Sequence, residues 1–254
     1  MSSRLTRRRL IGSGAGVAVS VPLVALAPGC GENGGSDTTT TEAGARSGTA
    51  PDPPRNGDEA LERLLEGNER FVQGRLLNER RGDVRRAKTA EGQEPFAIVL
   101  GCSDSRVPPE VLFDQGLGEL FVVRVAGNTA SDPVVLGSIE YAAEHLGSVL
   151  LMVLGHERCG AVEGAVQVVT EGAKEPGSID QMIDPVVPAV EEVSRSAPDL
   201  PQEELVSRSV RANVKRNVEE LENGEPLLGH LIEEDELQVV GAEYDLETGE
   251  VKLV

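Results

Sequence analysis

Three side chains with an affinity for soft divalent metals stand at two places in the sequence. Cys102 is one, and His156 and Cys159, two residues apart, are the others. Two thiolates and one imidazole suit zinc, and three protein ligands leave a fourth position for water, as in catalytic sites. His-x-x-Cys at the start of a helix places both side chains on one face, with Cys102 arriving from a separate element. The spacing also fits a closed structural zinc with Asp104 as fourth ligand. It fits, too, two buried, inert cysteines beside a satisfied histidine.

The elements that must position these residues are legible as three short apolar runs, Phe96–Leu100, Leu120–Val125 and Ser148–Leu154. They are rich in Val, Ile and Leu and lack polar alternation, as strands buried on both faces of a parallel sheet do. Each run is followed by unusual residues: Gly101-Cys102-Ser103-Asp104-Ser105-Arg106, then Ala126-Gly127-Asn128, then Gly155-His156-Glu157-Arg158-Cys159-Gly160. Open parallel sheets bind ligands beyond the carboxyl ends of their strands, so three such clusters should converge on one crevice.

Around these runs the pattern is helical. Leu61, Leu64, Leu65, Phe71 and Val72 recur at helical spacing in an amphipathic segment from Asp58. Ser131-Asp132-Pro133 reads as a cap with proline at the first helical position, opening a helix through Leu146. Further helices are expected around 159–171, 181–195 and 202–223. Leu237–Tyr244 reads as a strand, and Asp245–Gly249 as a turn into Val251–Val254. Strands alternating with helices define an α/β fold with a mostly parallel sheet flanked by helices.

Composition limits the function classes. The chain has 254 residues, which suits one catalytic domain with additional terminal sequence. Aromatic residues are 2% and Trp is absent, so aliphatic side chains must build the core. The formal net charge is -19, with no basic patch interleaved with aromatics, which argues against nucleic acid as a partner. Three cysteines, at 30, 102 and 159, do not form a disulfide framework.

The first 29 residues read as an address. Arg7-Arg8-Arg9 precede a weakly apolar, uncharged run from Ile11 to Ala27, interrupted by Pro22. This resembles a twin-arginine signal peptide, which exports folded proteins. Leu26-Ala27-Pro28-Gly29-Cys30 resembles a bacterial lipobox with Cys30 as the lipidated residue, although Ala27 and Pro28 depart from the usual pattern. Residues 30–57, with almost nothing apolar, are expected to be a disordered linker. The catalytic domain is expected over 58–254. Together these features suggest an exported, extracytoplasmic protein that meets a membrane only through its signal or lipid. Such an export route would allow the thiols to take up metal in the reducing cytoplasm, before they meet an oxidising compartment.

The stretch Cys102-Ser-Asp-Ser-Arg-Val107 followed by His156-x-x-Cys159-Gly160 resembles the signature pair of the β-class carbonic anhydrases. Pro109-Glu110, Gly118–Asn128, Ser138–Tyr141 and Val240–Gly249 are similar to that family as well. The resemblance implies one zinc per subunit on Cys102, His156 and Cys159, hydration of CO2 to bicarbonate, and a homodimer or homotetramer. It further implies that Arg106 pairs with Asp104, holding it ionised and off the metal, where it orients the attacking group. Gln115 and Gly127 are expected to bind substrate, and Arg124 to brace the site. Some relatives bind inhibitory bicarbonate with a tryptophan three residues before the first cysteine; Val99 stands there, so this regulation is not expected. His145 and His230 lie outside all motifs and read as solvated. Two other readings share these residues: a CS2 or COS hydrolase on the same scaffold, and a tethered zinc-binding protein without catalysis.

Overall fold

The computed structural model describes residues 52–223 and 226–254. The arginine cluster, the apolar run, the lipobox with Cys30 and most of the expected linker lie outside the described residues. No described helix is long and apolar enough to cross a membrane.

Helix α1 spans Gly57–Val72, and the Asn56 side chain caps it by accepting from the Glu59 N–H at 2.9 Å. It begins one residue before the expected domain start. Its buried face, with Ala60 and Leu64, lies on its own subunit's sheet. Asn68 secures it there, donating to the Gly249 carbonyl at 2.9 Å and accepting from Val251 N–H at 2.8 Å. A short helix, α2 (Asp83–Thr89), follows with no buried residue, which explains why no apolar periodicity announced it.

The sheet contains β1 (Ala97–Gly101), β2 (Leu120–Arg124), β3 (Leu150–His156), β4 (Gln238–Tyr244) and β5 (Val251–Leu253) in the order β2-β1-β3-β4-β5. The first three pairings are parallel, and β5 runs antiparallel to β4. β1 and β3 are buried throughout, as their sequences require. β2 is only half-buried, contrary to the expectation of two covered faces; among the described residues it is an edge strand of the sheet.

Alternate residues of β1 serve two cores. Ala97 and Val99 pack with Leu64, Phe113 and Met152, whereas Ile98 and Leu100 pack with Ile139, Val153 and Leu221. The connecting helices are α3 (Pro109–Leu112), α4 (Pro133–Leu146), α5 (Gly160–Glu171), α6 (Ile179–Ile183), α7 (Val187–Ser196), α8 (Gln202–Asn223) and α9 (Pro226–Glu233). Asp132 caps α4, accepting from Val134 N–H at 2.7 Å. The expected single helix over 181–195 is two helices, α6 and α7. The break falls at Asp184–Val186, where Pro185 lacks the N–H to continue the ladder.

In this strand order the chain leaves β1 towards β2 on one side, and β3 towards β4 on the other. The switch point, where a crevice opens, therefore lies between β1 and β3.

Candidate metal centre

Cys102 follows β1 directly and His156 ends β3, so both leave the adjacent strands that flank the switch point. The chain then turns through Arg158, whose φ of 47° is left-handed and uncommon for a residue with a Cβ. An ion pair from Arg158 Nη2 to Glu247 at 2.7 Å holds this turn. Cys159 returns as the N-cap of α5. His156 and Cys159 are thus joined by a tight strand-to-helix turn, not by the shared helical face that their spacing suggested. The strand continues through His156, and the helix starts only at Gly160.

All three side chains are buried, and their ligand atoms lie within 4.8 Å of one another. The two Sγ atoms are 3.9 Å apart. Two sulfurs about 2.3 Å from one tetrahedral ion stand about 3.8 Å apart, so the spacing already fits zinc. His156 Nδ1 lies 2.8 Å from the Glu157 carbonyl, to which it donates, leaving the Nε2 lone pair directed at the sulfurs. That Nε2 is buried and has no hydrogen-bond partner. A buried polar atom left unpaired is costly, and a metal ion resolves the cost. The donor set, its spacing and the orphaned nitrogen together fit zinc.

The two thiols are matched to that role. The hydrogen bond with Cys159 lowers the pKa of Cys102, and backbone N–H groups of Gly127 and Asp104 assist it. Cys159, sharing that bond and more deeply buried, is pushed up. Thiols bind metal as thiolates, so metal uptake at this pair releases protons.

Asp104 is held beside this set by three donors from Arg106. The backbone N–H and Nε reach Oδ1 at 2.9 and 3.0 Å, and Nη2 reaches Oδ2 at 2.7 Å. This fork pulls the Asp104 carboxyl down to about 2. Asp104 Oδ2 stands 3.9 Å from His156 Nε2 but outside the compact group of ligand atoms. The arrangement is an open three-ligand site, with the carboxylate alongside rather than in the fourth position. Arg124 reaches from β2 to donate to the carbonyls of Cys102 (2.8 Å) and Asp104, clasping the loop that carries both.

Gly127 and Gln115, the expected substrate contacts, stand in different surroundings. Gly127, at φ 78°, lies against the protein: an added Cβ would sit 2.8 Å from Val186 Cγ2. Gly127→Ala is expected to destabilise the fold by about 1–2 kcal/mol from the left-handed backbone alone, read by urea unfolding. Wild-type stability in that variant would contradict the placement. Gln115 is buried, and its Nε2 donates to the Phe113 carbonyl at 2.6 Å. It lines a 330 Å³ cleft with Arg63, Arg70 and Asp114, a group that includes none of the metal ligands.

Several supporting residues had no signal in the sequence. Glu119 is buried and accepts from Arg63 at 2.6 Å, from Arg80, and from Gly116 N–H at 2.7 Å, fixing the entry to β2. On α8, Asn213 and Asn217 are buried and bonded to the loop after β2. His145 packs edge-on against Tyr141, and His230 lies 4.0 Å from Glu234; both are exposed, as expected of solvated histidines.

Comparison with known proteins agrees with this geometry. A family model described as carbonic anhydrase matches residues 97–251. The chain is 46% identical over 138 residues to carbonic anhydrase 2 of Mycobacterium tuberculosis, covering 54% of this chain and 66% of that one. It is equally similar, over the same length, to a carbonic anhydrase of Mycolicibacterium smegmatis. The chain thus spans slightly less than two thirds of the length of these relatives. Among solved structures, a tetrameric β-carbonic anhydrase from Sordaria macrospora superposes with a TM-score of 0.63 at 26% identity, covering 77% of this chain and 96% of that one. The Coccomyxa β-carbonic anhydrase gives 0.61 at 27% identity, covering 76% and 86%. The ligand geometry at the β1/β3 switch point, the family match over most of the described residues and these structural likenesses agree: the chain belongs to the β-class carbonic anhydrase family.

Proposed function

We propose that this protein catalyses the reversible hydration of CO2 to bicarbonate and a proton, with zinc held by Cys102, His156 and Cys159. The observation that carries this reading is the open ligand triangle, with a buried, unpaired His156 Nε2 and Asp104 held off by Arg106. When bound, zinc acts as a Lewis acid that lowers the pKa of a coordinated water from about 15.7 to roughly 7–9.

The protein's own residues supply the rest. Asp104, ionised and acceptor-only, takes a hydrogen bond from the attacking group and thereby aims that group's lone pair. Arg106 keeps Asp104 in that role and out of the fourth position. Cys102 and Cys159 belong to an apolar cluster with Ala161, Val162 and Val186, beside Ala126. Such walls suit CO2, which carries no charge and no net dipole.

Two thiolates offset the charge of a divalent ion more fully than neutral imidazoles do. Activity is therefore expected to rise through the alkaline side of neutral. Asp104, held at about 2, contributes no limb of its own above about pH 4. A rate profile flat down to about pH 6 would contradict the ligand set. Stopped-flow CO2 hydration with zinc analysis tests the activity itself. Release of sulfide from COS or CS2 without CO2 hydration would move the reading to a hydrolase on this scaffold.

A homo-oligomer is the expected assembly. The half-buried edge strand β2 and the exposed Leu117, Val134 and Tyr141 leave apolar surface for a second copy. Export through a twin-arginine route, with Cys30 carrying lipid, is the expected location. Mass spectrometry of the mature N-terminus checks this, and a cytoplasmic chain retaining residues 1–29 would contradict it.

A further inference from the structure

The loop after β2 carries two consecutive left-handed residues, Gly127 at φ 78° and Asn128 at φ 45°. The Asn128 N–H donates to the Val125 carbonyl at 3.1 Å, closing a turn in which Gly127 takes the left-handed position. Its support comes from α8, distant in sequence. Asn213 Nδ2 donates to the Gly127 carbonyl at 2.8 Å, and Asn217 Oδ1 accepts from Ala130 N–H at 2.7 Å. Asn217 Nδ2 in turn donates to the Asn213 carbonyl at 2.8 Å and to its Oδ1 at 3.3 Å, which fixes the Asn213 amide. Both asparagines are buried, four residues apart on one helical face. Two residues before Gly127, Val125 N–H donates to the Gly101 carbonyl at 3.1 Å and the Val125 carbonyl accepts from Ser103 N–H at 3.2 Å, so the same loop is bonded to the residues on both sides of Cys102.

We propose that Asn213, oriented by Asn217, is a positioning residue for the metal centre. By gripping the Gly127 carbonyl it holds the loop whose Val125 backbone brackets Cys102, and so sets the position of that ligand. This inference rests on the metal-site reading above. Its reach is specific: the chain of bonds runs from α8 through the loop after β2 to the residues flanking one sulfur, and involves neither His156 nor Cys159. Loss of the grip lets the loop shift and moves Cys102 with it, while the sheet and its cores stay in place.

Cobalt(II)-substituted full-length protein provides the test, because its sulfur-to-metal charge-transfer band reports the ligating thiolates. Asn213→Ala is expected to shift that band and to lose metal to a chelator about 10-fold faster or more. Asn217→Ala, which leaves the Asn213 donor present but unoriented, is expected to give a smaller change of the same sign. It also serves as the readout should Asn213→Ala not fold. Leu221→Ala, on the same helix but within the sheet core, is the control. It is expected to lower stability and leave the band unmoved. An unchanged band and chelation rate in the asparagine variants would overturn the proposal. So would an equal shift in Leu221→Ala, which would reduce the role to general packing. A wild-type chain that takes up no cobalt would instead sink the metal-site reading, and this inference with it.

Discussion

Replacing Cys159 by alanine is expected to strip the protein of zinc and to reduce CO2 hydration to the rate of buffer alone. Cys159 sits at the start of α5, buried, with its sulfur 3.9 Å from that of Cys102. Without it, only one thiolate and one imidazole remain, and two protein ligands do not hold a catalytic zinc against solution. The substitution introduces no bulk, so the fold should persist with a modest loss of stability. Circular dichroism separates that outcome from unfolding. A variant that kept a full equivalent of zinc and its activity would remove Cys159 from the ligand set.

Arg106→Ala is expected to keep zinc yet lower kcat/KM by about 100-fold. The side chain is half-exposed and hydrogen-bonds to Asp104 and the Arg158 carbonyl. Removing it takes away the two guanidinium donors that fork Asp104. The carboxyl should rise from about 2 towards its ordinary value near about 3.9, which still leaves it ionised at neutral pH. Protonation therefore cannot account for the loss. Freed from the fork, Asp104 is expected to swing towards the metal from its present 3.9 Å separation from His156 Nε2 and fill the vacant position. The deficit should then persist at alkaline pH, where a protonation effect would have disappeared. Full activity in the variant, or complete recovery on raising pH, would contradict this role. In stability, a depressed carboxyl contributes above its unfolded pKa and loses that contribution as pH falls through about 2. With Arg106 half in solvent, the pair adds little near neutrality.

The parts of this molecule that the sequence made legible are those written in local chemistry. Uninterrupted apolar runs identified β1 and β3, because a strand covered on both faces has no polar side to show. The same pattern at Leu120–Arg124 overstated the burial of β2, since nothing in a five-residue run distinguishes a central strand from an edge. Cys102, His156 and Cys159 were legible as soft donors at strand ends, and Asp104 and Arg106 as neighbours in one short motif. How His156 and Cys159 meet was not, because the left-handed turn at Arg158 uses a residue with no preference for that conformation. Gln115 was singled out by its type; the bond from its amide to the carbonyl of Phe113, two residues before it, follows from a local turn that no apolar pattern announces. Asn213 and Asn217 were hidden for a different reason. Their partners lie more than eighty residues away, and polar residues in an otherwise charged helix read as surface.

Native mass spectrometry of the purified full-length protein tests the central claim most directly, since metal and thiol states each change the mass. One zinc per chain, released on acidification together with two free thiols at positions 102 and 159, is the result expected from the buried Cys102–His156–Cys159 triangle. A metal-free chain two hydrogen atoms lighter than the dithiol, with those sulfurs oxidised to a disulfide, would contradict it.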